Sequence, residues 1–136
     1  GKNYIPVYEY ANDRGLTILN HDWGSPKNLE DIARKYKKAN FIQAHTAGWW
    51  NGIDEEPYLE LAKEYRNVYL DVTASIAYYG AFEKLVECVG ANKLLYGSDF
   101  TFMDAAAQIG RVILADISND DKKKILSSNI SALLNL

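Results

Sequence analysis

The sequence predicts an α/β fold in which the strands of a parallel sheet alternate with amphipathic helices. Three observations predict it. Four short apolar runs recur along the 136 residues, at 16–20 (LTILN), 41–44 (FIQA), 68–71 (VYLD) and 94–96 (LLY). Between them lie stretches whose apolar residues keep helical spacing. The runs themselves are near-continuous in apolarity, as strands covered on both faces are.

The elements follow in order. The chain opens with a helix on which Val7, Tyr10 and Ala11 form a stripe, and Gly15 is placed to end it as a C-terminal cap. After the first strand run, Leu29, Ile32, Ala33 and Tyr36 keep i, i+3, i+4, i+7 spacing. After the second, Tyr58, Leu61 and Tyr65 follow Pro57, a residue suited to a first helical turn. Phe82, Leu85, Val86 and Val89 mark a further helix, ended by Gly90. Beyond the fourth run, Ala106, Ile109, Val112 and Ile113 line another. Ser118 with Asp121 forms an approximate capping box ahead of Ile125, Leu126, Ile130, Leu133 and Leu134. No linker or low-complexity tract interrupts this order, so the chain reads as one domain or one contiguous piece of one.

Composition narrows the function classes. With 48% hydrophobic and 24% charged residues, the chain is not a disordered one. A net charge of −3 offers no general attraction for phosphate backbones, so nucleic acid is not an expected partner. The single cysteine, Cys88, excludes an internal disulfide and any multi-cysteine zinc site, and it fits a reducing, cytoplasmic setting. No apolar run could span a bilayer and no signal peptide follows Gly1, so no membrane partner is expected.

The polar residues sit where strand–helix chemistry happens. The first run leads to His21 and Asp22, the second to His45, the third ends at Asp71, and the fourth leads to Gly97-Ser98-Asp99. In parallel α/β folds the carboxyl ends of the strands form the functional rim. His21 and His45 are 24 residues apart, His45 and Asp71 26, and Asp71 and Asp99 28. A (β/α)8 barrel of about 250 residues uses roughly 31 per unit, so neighbouring units are consistent with these steps. Two imidazoles and a carboxylate brought together suit a divalent metal such as zinc. Spacing alone leaves open that each is an ordinary hydrogen-bonded residue at a strand end.

Other features are open in the same way. Trp49 and Trp50 either wall a substrate pocket or cap a packed loop, and Tyr78 and Tyr79 carry the same two readings. Asp54, Glu55 and Glu56 ahead of Pro57 read as helix-start electrostatics. Asp71 reads first as a residue that caps a loop, and Cys88 as a structural thiol. Gly97-Ser98-Asp99 lacks the glycines and lysine of a phosphate loop and the pattern of a nucleophile elbow.

Taken together, the series strand–His21, strand–His45-Thr46-Ala47-Gly48, Asn67-Val68-Tyr69-Leu70-Asp71, Gly97-Ser98-Asp99-Phe100 and Lys124-Ile125-Leu126 with Asn129, Leu133 and Leu134 carries a resemblance. It resembles the C-terminal half of the amidohydrolase-related metal-dependent hydrolases, in the branch that includes the aminocarboxymuconate and resorcylate-type decarboxylases. The resemblance implies a TIM-barrel-type (β/α)8 fold, of which this chain supplies strands five to eight as a C-terminal half barrel. It implies that His21 and Asp99 are metal ligands, with Asp99 also a proton shuttle. His45 is then a ligand of a second metal or the base that activates water. The expected activity is hydrolysis of a small carbonyl, amide or ester substrate through metal-activated water, with non-oxidative decarboxylation as the alternative. Departures are visible. The His-x-His of the family's first strand occurs nowhere in the chain, Thr101 stands where proline is common, and Asp22 follows His21 where a small or hydroxyl residue is common. An inactive half barrel that self-associates through its open sheet edges is a competing expectation, as is a small non-catalytic ligand-binding domain.

Overall fold

The computed structural model describes residues 2–47, 56–73 and 80–136. Its centre is a sheet of four parallel strands in chain order: β1 (Thr17–Asn20), β2 (Asn40–Gln43), β3 (Val68–Asp71) and β4 (Leu94–Leu95). Each predicted run is found as a strand. Leu19 lies opposite Ile42, which lies opposite Tyr69, and Leu70 lies opposite Leu94. Because side chains alternate across a strand, Phe41, Val68, Leu70 and Leu94 share one face and enter the main core. Ile42 and Leu95, on the other face, are also buried. The edge strand β1 differs from expectation. It is not covered on both faces, and Leu19 is 59% exposed.

The helices are α1 (Ile5–Arg14), α2 (Pro26–Lys35), α3 (Glu56–Glu64), α4 (Ala81–Val89), α5 (Ala105–Leu114), α6 (Asn119–Lys123) and α7 (Asn129–Leu134). Local chemistry sets their ends. Gly15 takes the left-handed conformation that ends α1, and its N–H bonds back to Ala11 and Asn12. Ser25 caps α2 by accepting from the Asn28 N–H, and Asp104 caps α5 by accepting from the Ala107 N–H. Ser118 caps α6 by accepting from Asp121 N–H, while its hydroxyl donates to the Asp121 carboxylate. The single terminal helix that the sequence predicts is interrupted by a π-helical turn, Lys124–Ser128, between α6 and α7.

Two predicted stripes are displaced. Helix α1 buries Tyr8 and Ala11, and leaves Val7 and Tyr10 exposed. The cause is an aromatic cluster. Tyr8 sits 5.9 Å from Tyr36, 6.3 Å from Trp23 and 6.3 Å from Phe41 between ring centroids, and this packing sets the rotation of the helix. Helix α5 buries Gln108 and Val112, whereas Ile109 and Ile113 face outward. Cys88 is half-buried and packs against the core.

Three polar side chains tie the layers together by serving carbonyls that helices and strands leave open. Buried Asn67 directs its amide to the carbonyls of Ala33, Tyr36 and Ala39 at 3.2, 3.1 and 3.0 Å. Lys93 donates to Tyr65, Arg66 and Val68 carbonyls at 2.8, 3.1 and 3.2 Å, and burial pushes its ammonium below the usual lysine range. Asn129 donates to the carbonyls of Ala91 and Leu94. At the opposite edge the Thr17 hydroxyl donates to the Leu133 carbonyl, joining β1 to α7.

Candidate functional site

The site lies at the carboxyl ends of the strands. His21 follows β1 and is exposed; His45 follows β2 and is half-buried. Their rings meet edge to face, with centroids 4.9 Å apart. Gln43, the last residue of β2 and buried, braces both turns. Its amide donates to the His21 carbonyl at 3.1 Å and to the Ala44 carbonyl at 2.7 Å. Sequence reasoning missed this residue, although a polar side chain closing an apolar strand was a signal that could have found it.

The chain turns tightly through 44–47, where His45 and Thr46 take positive φ values of 56° and 45°. Such a conformation is costly for residues with a Cβ and persists where surroundings enforce it. Here the buried Thr46 hydroxyl donates to the Asp71 carbonyl at 3.3 Å, and His45 Nδ1 lies 3.3 Å from the Thr73 carbonyl. A carbonyl can only accept, so this contact is a hydrogen bond when Nδ1 carries the proton, and in the neutral ring that tautomer leaves the lone pair on Nε2.

Asp71 ends β3. Its Oδ1 accepts the Thr73 N–H at 2.6 Å and also the Thr73 hydroxyl. This is the loop-capping role that the sequence favours for Asp71. Burial pushes its carboxyl above the ordinary range. The Thr73 bonds and the His45 imidazole oppose that rise, and the Asp99 carboxylate adds to it. Asp99 is exposed on a backbone with φ 53°, in the turn after β4, where its carbonyl accepts the Met103 N–H.

Gly97 is a glycine because of this packing. A Cβ there would lie 2.5 and 2.6 Å from the two Asp71 carboxylate oxygens and would overlap the Thr73 hydroxyl. The Gly97 backbone, the Asp71 carboxylate and the Thr73 side chain therefore occupy one tight volume.

The structure thus brings His21 and His45 together and places Asp71 and Asp99 within electrostatic reach on the same rim. Imidazole pairs suit a divalent cation. Yet among the described residues no three His, Cys, Asp or Glu side chains converge closely enough to hold a metal. Of the expected set of His21, His45 and Asp99, the structure brings the two histidine rings into contact. Trp49, Trp50, Tyr78 and Tyr79 lie outside the described residues. Among the described residues no helix is long and apolar enough to cross a membrane.

A family model described as amidohydrolase matches residues 1–136. No curated protein matches the chain. Among solved structures, an uncharacterized TIM-barrel protein from Bordetella bronchiseptica superposes with a TM-score of 0.79 at 17% identity, over 97% of this chain and 50% of that one. An amidohydrolase 2 from Bifidobacterium longum subsp. infantis does so with a TM-score of 0.71 at 17% identity, over 94% and 53%. A dihydroxybenzoic acid decarboxylase from a Polaromonas species, solved with manganese and the inhibitor 2-nitroresorcinol, gives 0.70 at 16% identity, over 100% and 55%. The chain spans about half the length of these structures.

Proposed function

Since the chain belongs to the amidohydrolase family and has the fold of half a TIM-type barrel, we propose that it supplies part of a metal-dependent active site for a small-molecule substrate. The reaction proposed first is hydrolysis of a carbonyl, amide or ester bond. The observation that carries this reading is the His21–His45 pair on adjacent strand ends, 4.9 Å apart and braced by Gln43. The two imidazoles are a partial donor set, to which the Asp99 carboxylate is a further candidate ligand. A bound divalent cation would contribute Lewis-acid chemistry there.

The chain's own groups have definite roles in this reading. His21, exposed on the rim, offers a ring nitrogen as a donor. His45, with its proton held on Nδ1 by the Thr73 carbonyl, presents Nε2 as a proton acceptor. Asp99, on the same rim, offers an exposed carboxylate as a ligand or a proton carrier.

A second reading is decarboxylation, and the Polaromonas decarboxylase among the matches favours it. Loss of carbon dioxide from an aromatic carbon must be balanced by delivery of a proton to that carbon. His45 would then act in its protonated form.

The test has two arms. Calorimetric titration with manganese and with zinc is expected to show binding that His21→Ala and His45→Ala each weaken at least tenfold. Unchanged affinity in both variants refutes the donor assignment. Carbon dioxide release from 2,6-dihydroxybenzoate and cleavage of simple aryl esters, each with added metal, separate the reactions. Absence of both activities in the metal-loaded protein refutes the catalytic reading.

A further inference from the structure

We propose that Asp71 is a positioning residue which, through Thr73, holds His45 in the tautomer with Nδ1 protonated and Nε2 free. The proposal deepens the reading of His45 as a proton-transfer group or metal donor and rests on it for its functional meaning.

The chain of contacts is continuous. Asp71 Oδ1 binds both the N–H and the hydroxyl of Thr73. Those two bonds fix the residue from both its backbone and its side chain. The carbonyl of the same residue is the acceptor for His45 Nδ1 at 3.3 Å. Asp71 acts a second time through its backbone, whose carbonyl accepts the hydroxyl of Thr46, the residue after His45. The histidine is thereby held at its ring and at the next residue along the chain, both times by way of Asp71. Gly97 closes the arrangement from the segment after β4, since any side chain there would displace the carboxylate or the threonine. Residues from three strand ends thus converge on the orientation of one imidazole.

A purely local role for Asp71 predicts less. A carboxylate that accepts an N–H two residues on is a common way to turn a chain after a strand. Such a turn requires neither a carbonyl aimed at an imidazole nor a glycine in the segment after the neighbouring strand. Hydrogen-bond partners that select the tautomer and ring orientation of a functional histidine are the general means of setting its basicity.

The test reads the tautomer directly, in metal-free protein without substrate. Nitrogen-15 spectra of His45, taken at a pH where the ring is neutral, assign its two ring nitrogens. In the parent protein the pyrrole-type resonance is expected on Nδ1 and the pyridine-type on Nε2, the reverse of the preference of free histidine in water. Asp71→Ala is expected to lose this separation or invert it, while Asp71→Asn, which keeps an acceptor for Thr73, restores it. An Nε2-protonated ring in the parent protein overturns the proposal, and that measurement needs no variant to fold. A folded Asp71→Ala protein with the parent's assignments also overturns it. Because metal and substrate are absent, the expected spectra combined with no catalysis would refute the proposed function and leave the positioning role standing.

Discussion

Replacing Gly97 by alanine puts one methyl group into the tightest volume of the site. The added carbon would stand 2.5 and 2.6 Å from the Asp71 oxygens, well inside van der Waals contact, and would overlap the Thr73 hydroxyl. Strained accommodation of an extra methyl in a packed region costs about 1–3 kcal/mol. If the carboxylate moves instead, its hydrogen bonds to Thr73 are lost, and a bond to a charged group is worth about 1.5–3 kcal/mol. These are alternative routes of relief, so the expected destabilisation is about 2–3 kcal/mol. With a urea slope near 2 kcal/mol per molar, that lowers the unfolding midpoint by roughly 1–1.5 M. Gly110→Ala is the control. Gly110 lies within α5, and a Cβ there meets nothing within 4 Å. Relieving a helix of a glycine should stabilise by about 0.5–1 kcal/mol. The two variants should therefore move in opposite directions. A Gly97→Ala midpoint equal to that of the parent would show that the cradle under Asp71 is not tightly packed, and the reasoning would fail.

Further outcomes are expected elsewhere. Asn67→Asp puts carboxylate oxygens against the Ala33, Tyr36 and Ala39 carbonyls; the loss should be about 3 kcal/mol or more at neutral pH and smaller in acid, where the carboxyl can donate. Thermal melts at the two pH values check this, and equal losses would contradict it. Lys93→Met keeps the apolar stem but leaves the Tyr65, Arg66 and Val68 carbonyls without their shared donor. It should cost about 2 kcal/mol in urea unfolding, and a neutral result would refute the bracing role. Folding raises the Asp71 carboxyl, so the folded chain keeps a proton that the unfolded chain releases. Its contribution to stability therefore falls as pH rises from the ordinary carboxylate range through the raised folded value, and levels off above it. Melts between about pH 4 and pH 8 should show that decline in the parent and lack it in Asp71→Asn; parallel profiles would refute the burial argument.

Much of this architecture was legible in the residue pattern because strand runs and helix caps are local signals. The four runs became the four strands, and Gly15, Ser118 and Gly90 ended or began their helices as their chemistry requires. The faces of α1 and α5 were less legible, because both helices contain more apolar residues than one face can bury. Which of Val7, Tyr8 and Tyr10 turns inward depends on Trp23, Tyr36 and Phe41, and no spacing rule within α1 contains those partners. The π-helical turn at Lys124–Ser128 left no mark in the sequence pattern. At the site, strand-end position was enough to pair His21 with His45. The link from Asp71 to His45 was not readable in advance, since it runs through a backbone carbonyl and depends on a glycine in the segment after β4.

The bond from Thr17 to Leu133 has a consequence for the order of folding. Every pairing in the sheet joins consecutive strands, so each closes a modest loop and can form as soon as the next strand has been synthesised. The Thr17 bond instead spans 116 residues. It is the one tie between the first strand and the last helix named here, and it cannot exist until that helix has left the ribosome. Hydrogen exchange during refolding should therefore find the β2–β3 amides protected early, with α7 and the outer edge of β1 gaining protection together and late.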